Sequence, residues 1–260
     1  MDKRSNSLAD RATPRDWDAR TYDRVAAPMT SWGSVVLDRL PLDGDERVLD
    51  AGCGSGRVTE MLAERLPDGR VVALDGSAAM VEATRDRLAR FGDRVEYVVA
   101  DLGAPLPIEG EVDAVLSTAT FHWVPDHDAL FRNLAAVTRP EGLLVAQCGG
   151  AGNIASVQRV LARTGDGFLG NVHFETPLAT VRRLDAAGYV DIECWLTDEP
   201  WRFEPGEPFE TYLRTVVLGD HLARLPPEEH DAFVHEVAEG LPDAVIDYVR
   251  LNIVARRSRG

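Results

Sequence analysis

The chain has 260 residues, of which 45% are hydrophobic and 27% are charged, and this length fits one large α/β domain or a core with a small cap. No apolar run approaches the ~18 residues of a membrane span, and the polar N-terminus lacks the apolar segment of a signal peptide. The formal net charge of −15 disfavours nucleic acid and anionic membranes as partners, because phosphate binding requires a basic surface.

The three cysteines, Cys53, Cys148 and Cys194, are scattered without metal-ligand spacing. Their placement argues against a disulfide framework and is typical of a protein in the reducing cytoplasm. His230 and His235 are five residues apart, which places them on different faces of a helix. We therefore predict no metal site.

Residues 1–15 are polar and of mixed charge, which predicts disorder. Between Trp17 and Leu40 aromatic and aliphatic residues recur, which favours one or two helices packed on a sheet. The sequence VLDAGCGSG follows at residues 48–56. It predicts the end of a buried strand, a tight glycine turn and the start of a helix, and in an open α/β sheet that junction faces the ligand crevice.

The glycine turn departs from the dinucleotide fingerprint, because Arg57 stands where the third glycine of that fingerprint belongs. Asp50, just before the turn, would repel a pyrophosphate and suits a ligand that carries an ammonium or sulfonium. The arrangement Asp50-x-Gly52-x-Gly54-x-Gly56 resembles motif I of the class I S-adenosylmethionine-dependent methyltransferases. The alternative is a glycine turn with a packing role alone.

Two further strands also end in acids. Residues 70–75 end at Asp75, about 20 residues past the glycine turn, where a carboxylate can accept both hydroxyls of a ribose. Ser77 then caps a helix with Met80 on its apolar face. Residues 95–100 lead to Asp101, which can accept the adenine amino proton. The alternatives are a helix-start acid for Asp75, core packing for Met80 and a turn aspartate for Asp101.

The resemblance to the methyltransferases implies a cofactor site for S-adenosyl-L-methionine. An aromatic residue at Tyr22, in a segment that looks like the N-terminal segment of small-molecule methyltransferases, would help to close over the cofactor, or would face the core instead. The implied cofactor residues are Tyr22, Asp50, Gly52, Cys53, Gly54, Asp75, Gly76, Met80, Asp101, Leu102 and Ser117. Cys53 is interpreted as a small loop residue and not as a nucleophile.

A fourth strand, residues 112–117, runs into a His-Trp pair followed by a proline. This segment resembles the trans-aconitate methyltransferase-like branch of the family. His122 is the candidate catalytic residue, because its unperturbed pKa of ~6.5 suits a base; it would otherwise bind the acceptor or bond to the backbone. The candidate acceptor-binding residues are Trp17, His122, Trp123, Phe168 and His173.

The alternation of strands and helices predicts a doubly wound, mostly parallel seven-stranded sheet with a Rossmann-like arrangement and a helical cap near the C-terminus. The chain divides into a disordered N-terminus (1–15), a cofactor-binding core with N-terminal helices (16–148), cap insertions (149–176 and 205–241) and the remainder of the sheet (177–204 and 242–260). A single last strand is expected from Val245 to Val254, and Gly149–Gly152 is expected to be a flexible exit from the core.

The resemblance implies methyl transfer to a small-molecule acceptor, with a leaning to a carboxylate or hydroxyl oxygen. An acid arrives ionised and needs no base, whereas a phenol, alcohol or carbon acceptor would use His122. In this acidic chain an anionic acceptor requires a local basic cluster, around Arg20, Arg132 or Arg214. The alternatives are a C- or N-methyltransferase, a non-catalytic S-adenosylmethionine-binding protein, and a nicotinamide-dependent oxidoreductase, which Arg57 and Asp50 disfavour.

Overall fold

The computed structural model describes residues 27–164 and 167–259. Its strands are β1 (Arg47–Ala51), β2 (Arg70–Asp75), β3 (Val95–Val99), β4 (Val112–Thr118), β5 (Thr138–Gly149), β6 (Tyr189–Asp198), β7 (Trp201–Arg202), β8 (Val245–Ile246) and β9 (Val249–Arg257). Its α-helices are α1 (Ala27–Leu37), α2 (Arg57–Arg65), α3 (Ala78–Leu88), α4 (His127–Val137), α5 (Ala155–Leu161), α6 (Pro177–Ala186), α7 (Glu207–Tyr212), α8 (Gly219–Leu222) and α9 (His230–Glu239). Trp17, Arg20, Tyr22 and the stretch 1–15 lie outside the described residues. Within the described ranges, no helix is long and apolar enough to cross a membrane.

Seven strands form one sheet in the order β3-β2-β1-β4-β5-β9-β6. The strands β1 to β5 are parallel, and β9 lies antiparallel between β5 and β6. The predicted fold class, a mostly parallel seven-stranded sheet, is therefore confirmed. The strand order reverses between β1 and β4, and the carboxyl ends at such a switch point border a crevice suited to a ligand.

Both faces of the parallel strands are buried, as the near-continuous apolar runs require. Successive side chains of a strand point to opposite faces, so Leu49, Val72 and Val115 pack in one core layer. Val48 and Val71 pack in the layer on the other side of the sheet. The sheet is thus held between two apolar layers, which fixes the positions of the strand ends.

Side-chain hydrogen bonds cap the first turn of two helices, α3 and α6. Ser77 accepts a hydrogen bond from the backbone N–H of Met80 at the start of α3, whose buried residues are Met80, Val81, Thr84 and Leu88. Thr176 accepts one from Ala179 at the start of α6. A serine or threonine at the N-cap satisfies an N–H that the helix itself leaves unpaired, which is why both starts were predictable from the sequence.

The predicted strand from Val245 to Val254 is wrong in its extent. Residues 245–246 pair with β7 in a separate two-stranded sheet, and β9 begins at Val249. Between them, the Asp247 carboxylate accepts the backbone N–H of Ser156 at 2.9 Å in the first turn of α5. The strand is interrupted because Asp247 turns away to hold the start of that helix.

The glycines expected to form an exit from the core are bonded into the fold. Gly150 donates its N–H to the carbonyl of Val249, and Ala151 donates to Glu175, each at 2.9 Å. A Cβ on Gly150 would lie 2.5 Å from a methyl carbon of Leu196. These glycines allow a close approach between β5, β9 and β6, which the sequence alone did not indicate.

Residues 205–241, predicted as part of a helical cap, fold as several short helices. The chain passes through α7, a π-helical turn at Leu213–Val217, α8, a 3₁₀ turn at Pro227–Glu229 and α9. Their inner side chains share an apolar cluster with α5 and with Trp32 of α1. The cap is therefore packed on the part of the chain that follows β5, above the carboxyl ends of the strands.

Candidate functional site

The glycine turn after β1 brings the backbone close to its neighbours. Gly52 has a φ of +92°, and a Cβ there would lie 2.1 Å from the hydroxyl oxygen of Thr120. The N–H groups of Gly52 and Cys53 both donate to the carbonyl of Leu74, at 2.7 and 2.9 Å. Gly54 has a φ of +55°, and a Cβ there would have no heavy atom within 4 Å. The backbone at Gly54 therefore faces open space.

Asp50 lies buried beneath this turn, with 1% of its surface exposed. One carboxylate oxygen accepts the hydroxyl of Thr59 at 2.7 Å, and the other has no hydrogen-bond partner among the described residues. Burial raises the pKa of Asp50 to about 7, with a smaller contribution from Asp75 and a partial offset from the Thr59 hydrogen bond. A buried carboxylate with a free oxygen is a site that a positively charged ligand would stabilise.

Asp75 ends β2 directly beside the turn. Its two oxygens accept the backbone N–H groups of Gly54 and Ser77, each at 2.9 Å. Burial raises its pKa, although these hydrogen bonds act in the opposite direction. Because each carboxylate oxygen has a second lone pair, Asp75 holds the turn in place and keeps acceptor capacity for hydroxyl groups of a ligand.

The third acid, Asp101, follows the end of β3, the strand next to β2 in the sheet. The backbone N–H of Ala100 donates to the carbonyl of Asp75, the last residue of β2, at 3.1 Å. Asp101 is the next residue after Ala100 and therefore lies close to the end of β2. An Asp101 oxygen accepts the N–H of Gly103 at 2.8 Å, which fixes the side chain at the rim. Leu102 is buried next to it. The three acids thus lie at or just past the carboxyl ends of three adjacent strands, at one edge of the sheet.

A cavity of about 590 Å³ opens at this edge, a volume within the range of sites that enclose a small molecule. Its walls include several of the predicted cofactor residues: Gly52, Gly54, Asp75, Gly76, Met80, Asp101 and Leu102. The unpartnered oxygen of Asp50 and the open space at Gly54 fit a nucleoside ligand with a positively charged group close to the turn. The described residues therefore suit S-adenosylmethionine.

Three predicted cofactor residues do not line this cavity. Ser117 donates its hydroxyl to the carbonyl of Ala51 at 2.6 Å and is buried, and Cys53 and Asp50 lie under the turn. Burial raises the pKa of the Cys53 thiol well above its ordinary value, so a reactive thiolate is not formed there. These side chains support the cavity from below.

His122 lines the cavity after β4 and is buried. Its Nδ1 accepts the backbone N–H of Gly149 at 3.3 Å, which leaves the ring proton on Nε2. Burial lowers the pKa of His122 well below its ordinary value, and Arg250 and His127 add to this effect. The imidazole is therefore neutral, with a proton to donate and no free nitrogen lone pair to act as a base.

Arg250, on β9, lines the same cavity and is 3% exposed. Its guanidinium lies 4.9 Å from the centre of the Trp32 ring, and its Nε is 3.5 Å from the side-chain oxygen of Gln147. A buried arginine keeps its charge and offers a planar set of donors to a carboxylate. The structure thus places a positively charged side chain in the wall of the cavity, close to His122.

The predicted acceptor residues separate into two groups. Trp123 and His173 line the cavity, and His173 donates its backbone N–H to the carbonyl of His122 at 2.8 Å. Phe168 lies away from the cavity wall, with its ring 4.2 Å from the guanidinium of Arg224. Trp17 and Tyr22 are outside the described residues.

The two described arginines that we expected to bind an anion, Arg132 and Arg214, lie outside the cavity. Arg132 is exposed and Arg214 pairs with Asp231; neither lines the cavity. Sequence reasoning missed Arg250, together with Asn153, Asp220, His221 and Tyr248, which also line it. The available signal was the presence of Arg250 and Asn252 in a strand that is otherwise mostly apolar, because polar residues at buried strand positions need a partner or a function.

Comparison with known proteins gives consistent results. A methyltransferase domain family model matches residues 48–142. The trans-aconitate 2-methyltransferase of Azoarcus sp. is 30% identical over 236 residues, which cover 88% of this chain and 90% of the relative. That of Methylobacterium radiotolerans is 27% identical over 266 residues, which cover 94% and 99%.

Solved structures share the fold. Phosphoethanolamine N-methyltransferase 2 of Haemonchus contortus, solved with S-adenosylhomocysteine and phosphomonomethylethanolamine, superposes with a TM-score of 0.63 at 19% identity, over 93% of this chain and 57% of that one. A methyltransferase-like protein of Bacillus halodurans gives 0.61 at 20% identity, over 88% and 99%. Together with the long match to the relatives above, this establishes that the chain belongs to the class I S-adenosylmethionine-dependent methyltransferases, in the branch of the trans-aconitate 2-methyltransferases.

Proposed function

We propose that this enzyme methylates a carboxylate oxygen of a small organic acid. The observation that carries the proposal is Arg250, a buried positive charge in the cavity next to His122. An organic acid is ionised at neutral pH, and a buried guanidinium is the donor that best replaces the water around a carboxylate. The relatives named above are trans-aconitate 2-methyltransferases, which also act on an acid.

In this proposal the cofactor lies along the ends of β1, β2 and β3. Asp75 accepts the ribose hydroxyls, and Asp101 and Leu102 hold the adenine with Met80 packed nearby. Gly52, Gly54 and Gly76 allow the backbone to approach, and Asp50 balances the positive charge from below. Tyr22 is retained as a predicted contact. S-adenosylmethionine supplies the methyl group, which is carried on a positively charged sulfur.

The acceptor carboxylate is held by Arg250 and by the Nε2–H of His122. A lone pair of the carboxylate oxygen forms the new bond to the methyl carbon, and the electron pair of the broken carbon–sulfur bond stays on the sulfur. No proton moves, so the step needs no base, in agreement with a neutral His122 whose Nδ1 is occupied. The protein then contributes mainly position and removal of water. His122 is therefore a donor that orients the acceptor and not the base we considered from the sequence.

The test is methyl transfer from a labelled donor to a panel of organic acids, phenols and amines. We expect labelled product from acids alone, and we expect mild alkali to release the label as methanol, because esters hydrolyse under conditions in which methyl ethers and methylamines persist. Labelled product that survives alkali would contradict carboxylate methylation, and so would exclusive labelling of phenols or amines.

A further inference from the structure

Asn153 lies in the turn that joins β5 to α5 and lines the same cavity, with 3% of its surface exposed. Its Oδ1 accepts the backbone N–H of Val249 at 2.9 Å. Because only the oxygen of a side-chain amide can accept a backbone N–H, this bond fixes which way the amide faces. The Nδ2 group donates to none of the described residues, so the buried amide keeps two N–H groups for an oxygen of a ligand.

The Asn153 amide lies between the chain neighbours of the two residues that we propose to hold the acceptor. A Cβ on Gly149 would lie 2.9 Å from Nδ2 of Asn153, and the N–H of Gly149 donates to His122. On the other side, Oδ1 bonds to Val249, the residue before Arg250. The absence of a side chain at Gly149 therefore admits the amide to this wall of the cavity.

The backbone next to Asn153 is held in a strained conformation. Ile154 has a φ of +50°, in the left-handed region that is unfavourable for a β-branched residue. Its N–H donates to the carbonyl of Asp247 at 3.0 Å, and the Asp247 carboxylate also bonds to Ser156 in the first turn of α5. Such strained residues persist where surrounding contacts maintain them, and they cluster at binding sites. The turn thus presents the Asn153 amide at a fixed position.

We infer that Asn153 binds the acceptor and donates a hydrogen bond from its Nδ2 to a carboxylate oxygen. The inference rests on the proposed carboxylate methylation and adds a third donor to Arg250 and to the Nε2–H of His122. A buried anion is stabilised when donors replace the water that it loses, and an amide supplies such a donor without adding charge. The amide keeps its protons throughout, so the methyl transfer described above is unchanged in atoms and electrons.

Asn153→Asp is the most direct test, because it keeps the shape of the side chain and the oxygen that accepts the Val249 N–H. It replaces the donor by an oxygen, and the added charge repels the acid. We measure kcat/KM for trans-aconitate and for the acid of the panel that is turned over fastest. Loss of a hydrogen bond to a charged group lowers affinity at least about tenfold, so we expect a fall of that size, mainly through KM. Calorimetric affinity for S-adenosylmethionine is expected to be retained.

Two further variants separate the loss of the donor from the added charge. Asn153→Ser removes the amide without adding charge, at a turn where serine is well tolerated, and we expect kcat/KM for the acid to fall here too. Gln158→Glu makes the same change of amide to carboxylate on α5, away from the cavity lining, and should retain acid turnover. Unchanged acid turnover in either Asn153 variant, or an equal loss in Gln158→Glu, would overturn the inference.

The failure of this inference and that of the proposed function give different results. If the Asn153 variants form alkali-labile ester at the rate of the unmodified enzyme, carboxylate methylation stands and only Asn153 is removed from the acceptor site. If the unmodified enzyme forms labelled ester from no acid, both are overturned. Ester formation by the unmodified enzyme and by Gln158→Glu, with a loss in both Asn153 variants, supports both.

Discussion

Asp50 is the residue whose charge we expect to depend most directly on the bound cofactor. Burial raises its pKa to about 7, so the neutral form is populated below that pH when the cavity holds no positive charge. A positively charged ligand favours the carboxylate, and at lower pH it must displace a proton. We expect the affinity for S-adenosylmethionine to increase as the pH rises through about 7, measured by titration calorimetry.

The Asp50→Asn variant is the control, because it keeps the shape of the side chain without the charge. Ionisation of the ligand itself affects both proteins equally, so the difference between the two pH profiles isolates Asp50. The variant is expected to bind more weakly at high pH and to lose the Asp50-dependent part of the profile. Identical profiles for the two proteins would remove Asp50 from the balance of charge at the cofactor.

Single residues differ in how far the sequence reveals them. Asp75 and Asp101 were predictable because a local pattern, an apolar strand that ends in an acid, also fixes their position at the sheet edge. Arg250 was not, because its place in the cavity depends on the antiparallel pairing of β9 with β5, about 100 residues away in sequence. His122 was found, but its proposed role as a donor depends on the Gly149 N–H, which no local pattern indicates.

The glycine turn after β1 either contacts the ligand or has a packing role alone, and a substitution at Gly54 distinguishes the two. Gly54 has a left-handed φ and lines the cavity, with open space where a Cβ would point. An alanine there costs about 1–2 kcal/mol of stability because of the backbone conformation. We expect Gly54→Ala also to weaken S-adenosylmethionine binding at least about tenfold, or about 1.4 kcal/mol, since the new methyl group takes up ligand space.

Gly92 provides the control for this substitution. It has a φ of +57° with no heavy atom within 4 Å of a Cβ, and it lies between α3 and β3, away from the cavity. Gly92→Ala is expected to lower the free energy of unfolding without a change in cofactor affinity. If Gly54→Ala also binds the cofactor like the unmodified protein, the turn has a packing role alone.

Elements bounded by local signals matched the structure better than those bounded by distant contacts. Ser77 and Thr176 cap their helices through hydrogen bonds to residues three positions later, so the signal lies within one turn. The break between β8 and β9 depends on Asp247, which bonds to Ser156, 91 residues earlier. The strand Val245–Val254 therefore looked continuous in sequence, and its interruption follows from tertiary structure.

The net charge of the whole molecule repels the proposed anionic substrate at long range. The net charge of −15 repels an anion in solution, whereas the contact with buried Arg250 is short and weakly screened. Raising the ionic strength from about 0.01 M to 0.15 M shortens the Debye length from about 30 to 8 Å. We expect KM for an acid to fall severalfold over this range, measured in steady-state assays.

S-adenosylmethionine serves as the internal control for the effect of salt, because its net positive charge is attracted by the acidic surface. Its KM is expected to rise over the same range of ionic strength. A KM for the acid that rises with salt, in parallel with that of the cofactor, would show that the overall charge does not oppose the acceptor.

The central claim is that Arg250 holds the carboxylate of the acceptor, and the most direct measurement compares Arg250→Met with Arg256→Met. Both arginines lie on β9, and Arg256 is half-buried outside the cavity, next to Asp191. Removing one partner of a buried charge pair costs about 2–5 kcal/mol, so kcat/KM for an acid should fall at least about thirtyfold in Arg250→Met. We expect calorimetric affinity for S-adenosylmethionine to be retained in both variants and acid turnover to be retained in Arg256→Met. Acid turnover by Arg250→Met at the rate of the unmodified enzyme would contradict the account.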